Sequence, residues 1–263
     1  MIFQDILASE WLKLRSVRWT WFTIACTLLG IVASVCIAWN VVHMWEGATP
    51  MNRHHITVTP LTASVTALVV DLCLGILGVL SITGEYSTGM ISTSLVAVPR
   101  RHVFLLAKIL VVMIVSLFVG EVVIFTSYFC THWVIGNRPI PNLTAPLSQE
   151  IPVLLCLGLG GAVFALVGLG LGFILRSTAG AITTLIAGFL YLIEIVAIHL
   201  PTPWNTRLLS ITIQYLVGEL SGKPQLAAIN HSLLSPIWAT VCLASYVFFV
   251  LGIAYVFLKR RDA

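Results

Sequence analysis

The chain is 263 residues long, 59% hydrophobic and only 9% charged, with a formal net charge of +4. Soluble domains carry about a quarter of their residues as charges, so this composition excludes a water-facing globule and implies an all-α polytopic membrane protein. The basic residues sit beside apolar runs and form no dense patch, which argues against nucleic acid as a partner.

Residues 1–18 are the first predicted element. In "FQDILASEWLKLRSVRW" the positions Ile6, Leu7, Trp11, Leu14 and Val17 follow near-helical spacing, with Lys13, Arg15 and Arg18 as a basic flank. Trp19 and Trp21 mark a membrane–water boundary, so an interfacial amphipathic helix is expected, with Trp11, Lys13, Leu14 and Arg15 as its candidate contact residues.

A single six-helix transmembrane domain is predicted over residues 19–258. Crossing the hydrocarbon takes about 20 apolar residues, and six segments qualify, at about 19–42, 61–83, 103–135, 151–175, 179–200 and 236–258. The core of the first, "TIACTLLGIVASVCIAW", is longer than a signal-peptide h-region and lacks a clear small-x-small cleavage site, so it reads as a retained span. The third exceeds the bilayer and is expected to tilt, kink or project.

In the fourth span Gly158, Gly161, Ala165, Gly168 and Gly172 share a stripe, which predicts close helix packing within the chain. Residues 201–235 are too long for a turn, and their apolar run "LLSITIQYLV" is too short to cross, so short re-entrant or extracellular helices are expected there. Residues 259–263 form a basic tail. The six cysteines fall in apolar segments without metal-ligand spacing and read as packing residues.

Lys13, Arg15, Arg18, Arg100, Arg101, Lys108, Arg176, Lys259, Arg260 and Arg261 lie on the side that holds both termini, against Arg53, Arg138, Arg207 and Lys223 on the other. The excess predicts cytoplasmic termini. The stretch "GEYSTGMISTSLVAVPRR", residues 84–101, then becomes a cytoplasmic connection between the second and third spans. Gly84 is expected to end the second span, Ser87 and Thr88 to cap a short helix, and Glu85 to suit that helix's N-terminal dipole. Ile91, Leu95 and Val98 recur at i, i+4 and i+7, Pro99 stops the helix, and Arg100 and Arg101 anchor its end at lipid headgroups.

The pattern "GEYSTGMISTSLVAVPRRHVFLLAK" resembles the segment after the second helix of ABC-2 type transporter permeases, with matching positions Glu85, Gly89, Met90, Pro99, Arg100 or Arg101, and Lys108. The N-terminal "SEWLKLRSVRWTW" is similar to the interfacial helix of such permeases, actinobacterial ones in particular. The resemblance implies a bacterial plasma-membrane permease that exports an amphipathic or hydrophobic substrate (peptide, drug or lipid-like) as a homodimer or heterodimer surrounded by membrane lipid. It implies a coupling helix seated on a cytoplasmic ATP-binding subunit, with Glu85, Tyr86, Gly89, Met90, Ile91, Leu95, Pro99, Arg100 and Arg101 as the docking residues. No G-x-x-x-x-G-K-[ST] sequence occurs, so the chain is not itself expected to be the ATPase, and ATP and Mg belong to the partner with no cofactor on this chain.

Asp71, Glu121 and Glu194 fall inside spans, where a charge costs about 2.5–3.5 kcal/mol on insertion scales. They are read either as a translocation path or as hydrogen-bonded helix locks. The rival reading is an ion-gradient-driven secondary transporter that uses these three, although no inverted repeat is evident. A hydrolase is disfavoured because "GEYSTG" is not the G-x-S-x-G elbow.

Overall fold

Without water, backbone N–H and C=O groups are satisfied only inside the segment that carries them, so long apolar runs fold as helices. The computed structural model describes residues 3–49, 61–97, 101–140, 147–221 and 234–260. Its elements are α1 (Phe3–Ser16), α2 (Arg18–Gly47), α3 (Leu61–Ser87), α4 (Met90–Ala97), α5 (Arg101–Ile135) and α6 (Leu147–Leu175), then α7 (Thr178–Thr183), which continues through a π-helical stretch (Thr184–Leu192) into α8 (Ile193–Ile198). Two short helices, α9 (Trp204–Leu209) and α10 (Ile213–Leu220), precede α11 (Pro236–Arg260). Among the described residues, six helices are long and apolar enough to cross a membrane: α2, α3, α5, α6, the run Thr178–Ile198, and α11. They coincide with the six segments expected from the sequence.

The centre of the bundle is α6, packed against α3, α5, α10 and α11. Its glycine stripe turns largely to α3. A Cβ at Gly168 would overlap the Gly75 carbonyl, one at Gly172 would meet Ile82, and a Cβ at Gly78 would overlap the Ala165 carbonyl. Small residues therefore let the two backbones touch, which supplies van der Waals contact where lipid supplies no hydrophobic drive. Helix α2 joins this pair through hydroxyls. Ser127 Oγ of α5 lies 2.7 Å from Ser34 Oγ and 2.8 Å from Thr66 Oγ1, and Thr66 also donates to the Gly30 carbonyl. At the far end an Arg138–Glu46 ion pair of 2.7 Å closes α5 on α2.

The 35 residues of α5 span about 52 Å at 1.5 Å per residue, against roughly 30 Å of hydrocarbon. The helix is therefore longer than an upright span requires, and its first two turns lie beside α1, where Lys108 meets Glu10. Arg101 does not serve as a free headgroup anchor there: its Nη1 donates to the Leu258 carbonyl at 2.7 Å and ties α5 to the end of α11.

Three local expectations change. Gly84 does not end the second span, because α3 continues to Ser87. Ser87 and Thr88 do not cap the short helix. Their hydroxyls donate backwards to the Gly84 carbonyl at 3.0 and 2.8 Å, which closes the last turn of α3 instead. The buried face of α1 is also rotated from the predicted one. Ile6 and Glu10 are buried while Trp11 is 48% exposed, so a carboxylate occupies a position that the apolar spacing would have given to a hydrophobe.

Candidate functional site

The chain turns between α3 and α4 in two residues, Thr88 and Gly89. Gly89 has φ +71°, a left-handed conformation that glycine adopts without a Cβ clash. The turn sets Met90–Ala97 across the end of the bundle that holds α1 and the last turn of α11. One side of α4 is pinned: Ile91 is buried, and Ser94 Oγ accepts from Lys13 Nζ at 3.0 Å. The other side is open, with Met90 45% and Val96 83% exposed and Ser92 and Thr93 exposed between them.

What pins it is a buried ion network of four side chains from three helices. Lys108 Nζ of α5 lies 2.6 Å from Glu10 Oε2 of α1 and 2.8 Å from Glu85 Oε1 of α3, and donates to the Ser81 carbonyl at 3.2 Å. Lys13 Nζ lies 2.6 Å from Glu10 Oε1 and 3.2 Å from Glu85 Oε1. Glu10, Glu85 and Lys108 are 3%, 7% and 3% exposed, so none is a surface charge. Both ammonium groups also sit over the buried Phe104 ring, at 5.7 and 5.4 Å from its centroid, within cation–π range.

Charges taken out of water are tolerated only when paired and hydrogen-bonded, and the titration of Glu10 and Lys13 reflects that. Burial pushes the Glu10 carboxyl up, but Lys108 and Lys13 outweigh it and hold Glu10 below its ordinary value. Burial pushes the Lys13 ammonium down, but Glu10 and Glu85 outweigh it and hold Lys13 above its ordinary value.

Beside the network lies a cavity of about 440 Å³ between α1, the first turns of α2, the last turns of α3 and the start of α4. Glu10, Lys13, Glu85 and Lys108 form its polar end, and Leu14, Val17, Trp19, Leu77, Leu80 and Met90 contribute apolar wall.

The residues singled out in the sequence are thus distributed unevenly. Glu85 belongs to the last turn of α3 and points its charge into the chain, not outward from the short helix. Tyr86, half-buried, packs edge-on against Phe173 and carries the Arg176 guanidinium 5.0 Å above its ring. Gly89 and Met90 are exposed, Ile91 is buried, and Arg15 lies exposed, its carbonyl accepting from Trp21 Nε1 at 2.9 Å. Leu14 is half-buried against the core. Pro99 and Arg100 lie outside the described residues, as does the side chain of Leu95.

Asp71 and Glu121 both abut α6. A Cβ at Gly158 would collide with the Glu121 carboxylate, and one at Gly160 would lie 3.4 Å from Asp71 Oδ1. The glycines therefore make room for these acids. Asp71 Oδ1 and Glu121 Oε2 are buried with no hydrogen-bond partner among the described residues. Glu194 stands apart in α8, half-buried in the least enclosed span.

Sequence reasoning missed Glu10, Ser94, Arg176 and Glu219. Glu10 carried a signal: Ile6, Glu10 and Lys13 fall at i, i+4 and i+7, so a carboxylate was written into the inward stripe of an amphipathic helix, three residues before a lysine. Glu219 of α10 is buried with Oε1 unpartnered among the described residues, and no local pattern marked it.

The family model described as ABC-2 family transporter protein matches residues 6–196, from α1 through the fifth span. No curated protein matches the chain. The matched segment contains most of α1, all of α4, and both lysines and both glutamates of the network. Permeases of this kind are membrane components that associate with a cytoplasmic ATP-binding subunit. The family match covers well over half of the sequence and the helices follow the expected order, so the chain belongs to the ABC-2 family of transporter proteins.

Proposed function

We propose that this chain is the membrane-spanning subunit of an exporter that moves an amphipathic or hydrophobic substrate (peptide, drug or lipid-like) out of a bacterial cell, powered by ATP hydrolysed on a separate subunit. Both termini face the cytoplasm in this reading, and ATP and Mg are bound by the partner. The observation that carries it is α4: an eight-residue helix clamped on one side by Lys13 and Ile91 and bare on the other at Met90 and Val96.

A helix held this way transmits force. A push on its outer face is not absorbed by local bending, because Lys13 and Glu85 link it to α1, α3 and α5 together. Two such permeases, identical or related, would rock as rigid bodies when their ATP-binding subunits close. The fifth and sixth spans are the least enclosed within the chain and offer apolar faces to lipid or a second permease. Asp71 and Glu121 beside the α6 glycines are our candidates for the polar part of the path, with Glu194 separate from them.

The test is purification of the tagged chain from its native membrane in mild detergent, with the bound ATP-binding subunit quantified. Met90→Asp and Val96→Asp are each expected to release that subunit while the chain stays inserted, since Val96 is 83% exposed and Met90, at the cavity rim, is 45% exposed. Retention of the subunit at parental stoichiometry in both variants would remove α4 as the docking element.

A further inference from the structure

Arg176 sits where a glycine is expected. It follows the last residue of α6 with φ +52°, in the left-handed region, and its N–H donates to the Gly172 carbonyl at 3.0 Å to close the helix. Glycine commonly fills that position because it has no Cβ to clash. A cation at a helix C-terminus can also bond the last carbonyls, but this guanidinium does not. Among the described residues it makes no hydrogen bond and no ion pair, and lies 5.0 Å above the Tyr86 ring. Tyr86 is itself braced edge-on against Phe173. The side chain is half-buried with Nε enclosed, so Nη1 and Nη2 are the donors left for an acceptor from outside.

This cation stands beside the docking helix. Tyr86 precedes the Thr88–Gly89 turn into α4, and Thr178, two residues beyond Arg176, shares a cavity wall with Ser87, Thr88 and Met90. The sequence of α4, MISTSLVA, contains no charge. Its open face offers apolar and hydroxyl contacts, whereas register and orientation at an interface come from complementary charges. An arginine that serves lipid headgroups extends its stem toward them. Arg176 is instead folded back on an aromatic ring, which holds its fork in one place for a partner of fixed geometry. That planar fork matches a carboxylate through two parallel N–H···O bonds.

We infer that Arg176 is a second contact for the ATP-binding subunit, with Nη1 and Nη2 donating to an Asp or Glu carboxylate of that subunit while α4 takes the apolar part of the same surface. The inference rests on the exporter reading and adds the connection between α6 and α7 to a docking surface otherwise confined to α4.

The experiment places the full chain in nanodiscs of phosphatidylcholine, and separately of phosphatidylcholine with phosphatidylglycerol. Each is titrated with the ATP-binding subunit that co-purifies with the parental chain. Arg176→Gly removes the guanidinium and relaxes the backbone, since glycine adopts φ +52° freely. Arg176→Gln keeps a planar amide over Tyr86 without the charge. Both are expected to bind the subunit roughly tenfold or more weaker in both lipids, the size of one charge-assisted hydrogen bond. The parental affinity is also expected to fall more steeply with salt than that of either variant.

Parental affinity in both variants overturns the inference, as does a salt dependence equal to the parent's. A deficit seen only with phosphatidylglycerol assigns the guanidinium to a lipid head and overturns it too. Met90→Asp, titrated alongside, keeps the two readings apart. If it releases the subunit while the Arg176 variants bind at parental affinity, this contact fails and docking on α4 stands. If the parental chain itself binds no subunit, the exporter reading fails and takes this contact with it.

Discussion

Lys108→Met isolates the contribution of the ion network. Met preserves much of the side-chain stem against Phe104, so packing changes little and the ammonium is what is lost. Its removal leaves two buried carboxylates, Glu10 and Glu85, facing the single remaining charge of Lys13. Removing one partner of a buried pair costs about 3–5 kcal/mol, a large fraction of a typical stability of about 5–15 kcal/mol. Glu10→Gln makes the opposite error and leaves two ammonium groups on one carboxylate. The double variant restores one Lys and one Glu, so its cost is expected to fall below the sum of the singles by about 0.5–3 kcal/mol. Denaturant titration in detergent, read by the intrinsic fluorescence of the eight tryptophans, measures all four corners of the cycle. A Lys108→Met protein within about 0.5 kcal/mol of the parent, or a strictly additive double variant, would refute the claim that these charges are mutually compensating.

The same network fixes a pH dependence. Glu10 is held below its ordinary 4.5, so its contribution is complete above pH 4.5 and is lost as pH falls through its lower folded value. Lys13 is held above its ordinary 10.5, so its contribution is complete below pH 10.5 and is lost as pH rises through its higher folded value. The unfolding midpoint is therefore expected to fall on the acid side, and the acid limb to flatten in Glu10→Gln. Ser127→Ala removes a hydroxyl that meets both Ser34 and Thr66 and should cost about 0.6–1.7 kcal/mol, from the average to the largest value for interhelical hydrogen bonds in membranes; no change in denaturant midpoint would dismiss the hydroxyl triad as a helix tie. Gly89→Ala places a Cβ at φ +71° and should cost about 1–2 kcal/mol, read by the same titration, although nothing lies within 4 Å of the new methyl.

The spans were legible because six runs of apolar residues have one solution in a bilayer, and the glycine stripe was legible because spacing alone puts Gly161, Gly168 and Gly172 on one face. The ion network was only half legible. Glu85 and Lys108 stood out as a carboxylate and a cation in a greasy chain, but sequence gave no distance between α1 and α5, so Glu85 read as an outward docking charge. Its burial follows from α3 running one turn past Gly84, which carries residue 85 inside the level of Lys108. That extra turn rests on Ser87 and Thr88 hydroxyls bonding backwards, a choice these residues make in preference to capping the next helix. The cavity could not be foreseen, because its walls come from α1, α2, α3, α4 and α5 at once.

A buried neutral quartet is a poor source of stability, since well-packed hydrophobes in place of an ion pair are often as stable or more so. What charges add is register. If α4 slipped by a turn against α1, Lys13 would lose its hydrogen bond to Ser94, and if α1 slipped against α5, Glu10 would leave Lys108 and strand a buried charge; leucines would tolerate both. Glu10→Leu combined with Lys108→Met leaves Lys13 and Glu85 as a balanced pair, so stability should change by no more than about 1–2 kcal/mol in either direction. The position of α4 should nevertheless loosen. Spin labels at Leu12 and Val96, both exposed, would report this as a broader distance distribution in the double variant than in the parent. A distribution of equal width at equal stability would mean that packing around Ile91 alone sets α4 in place, and that the four charges fill space without choosing a geometry.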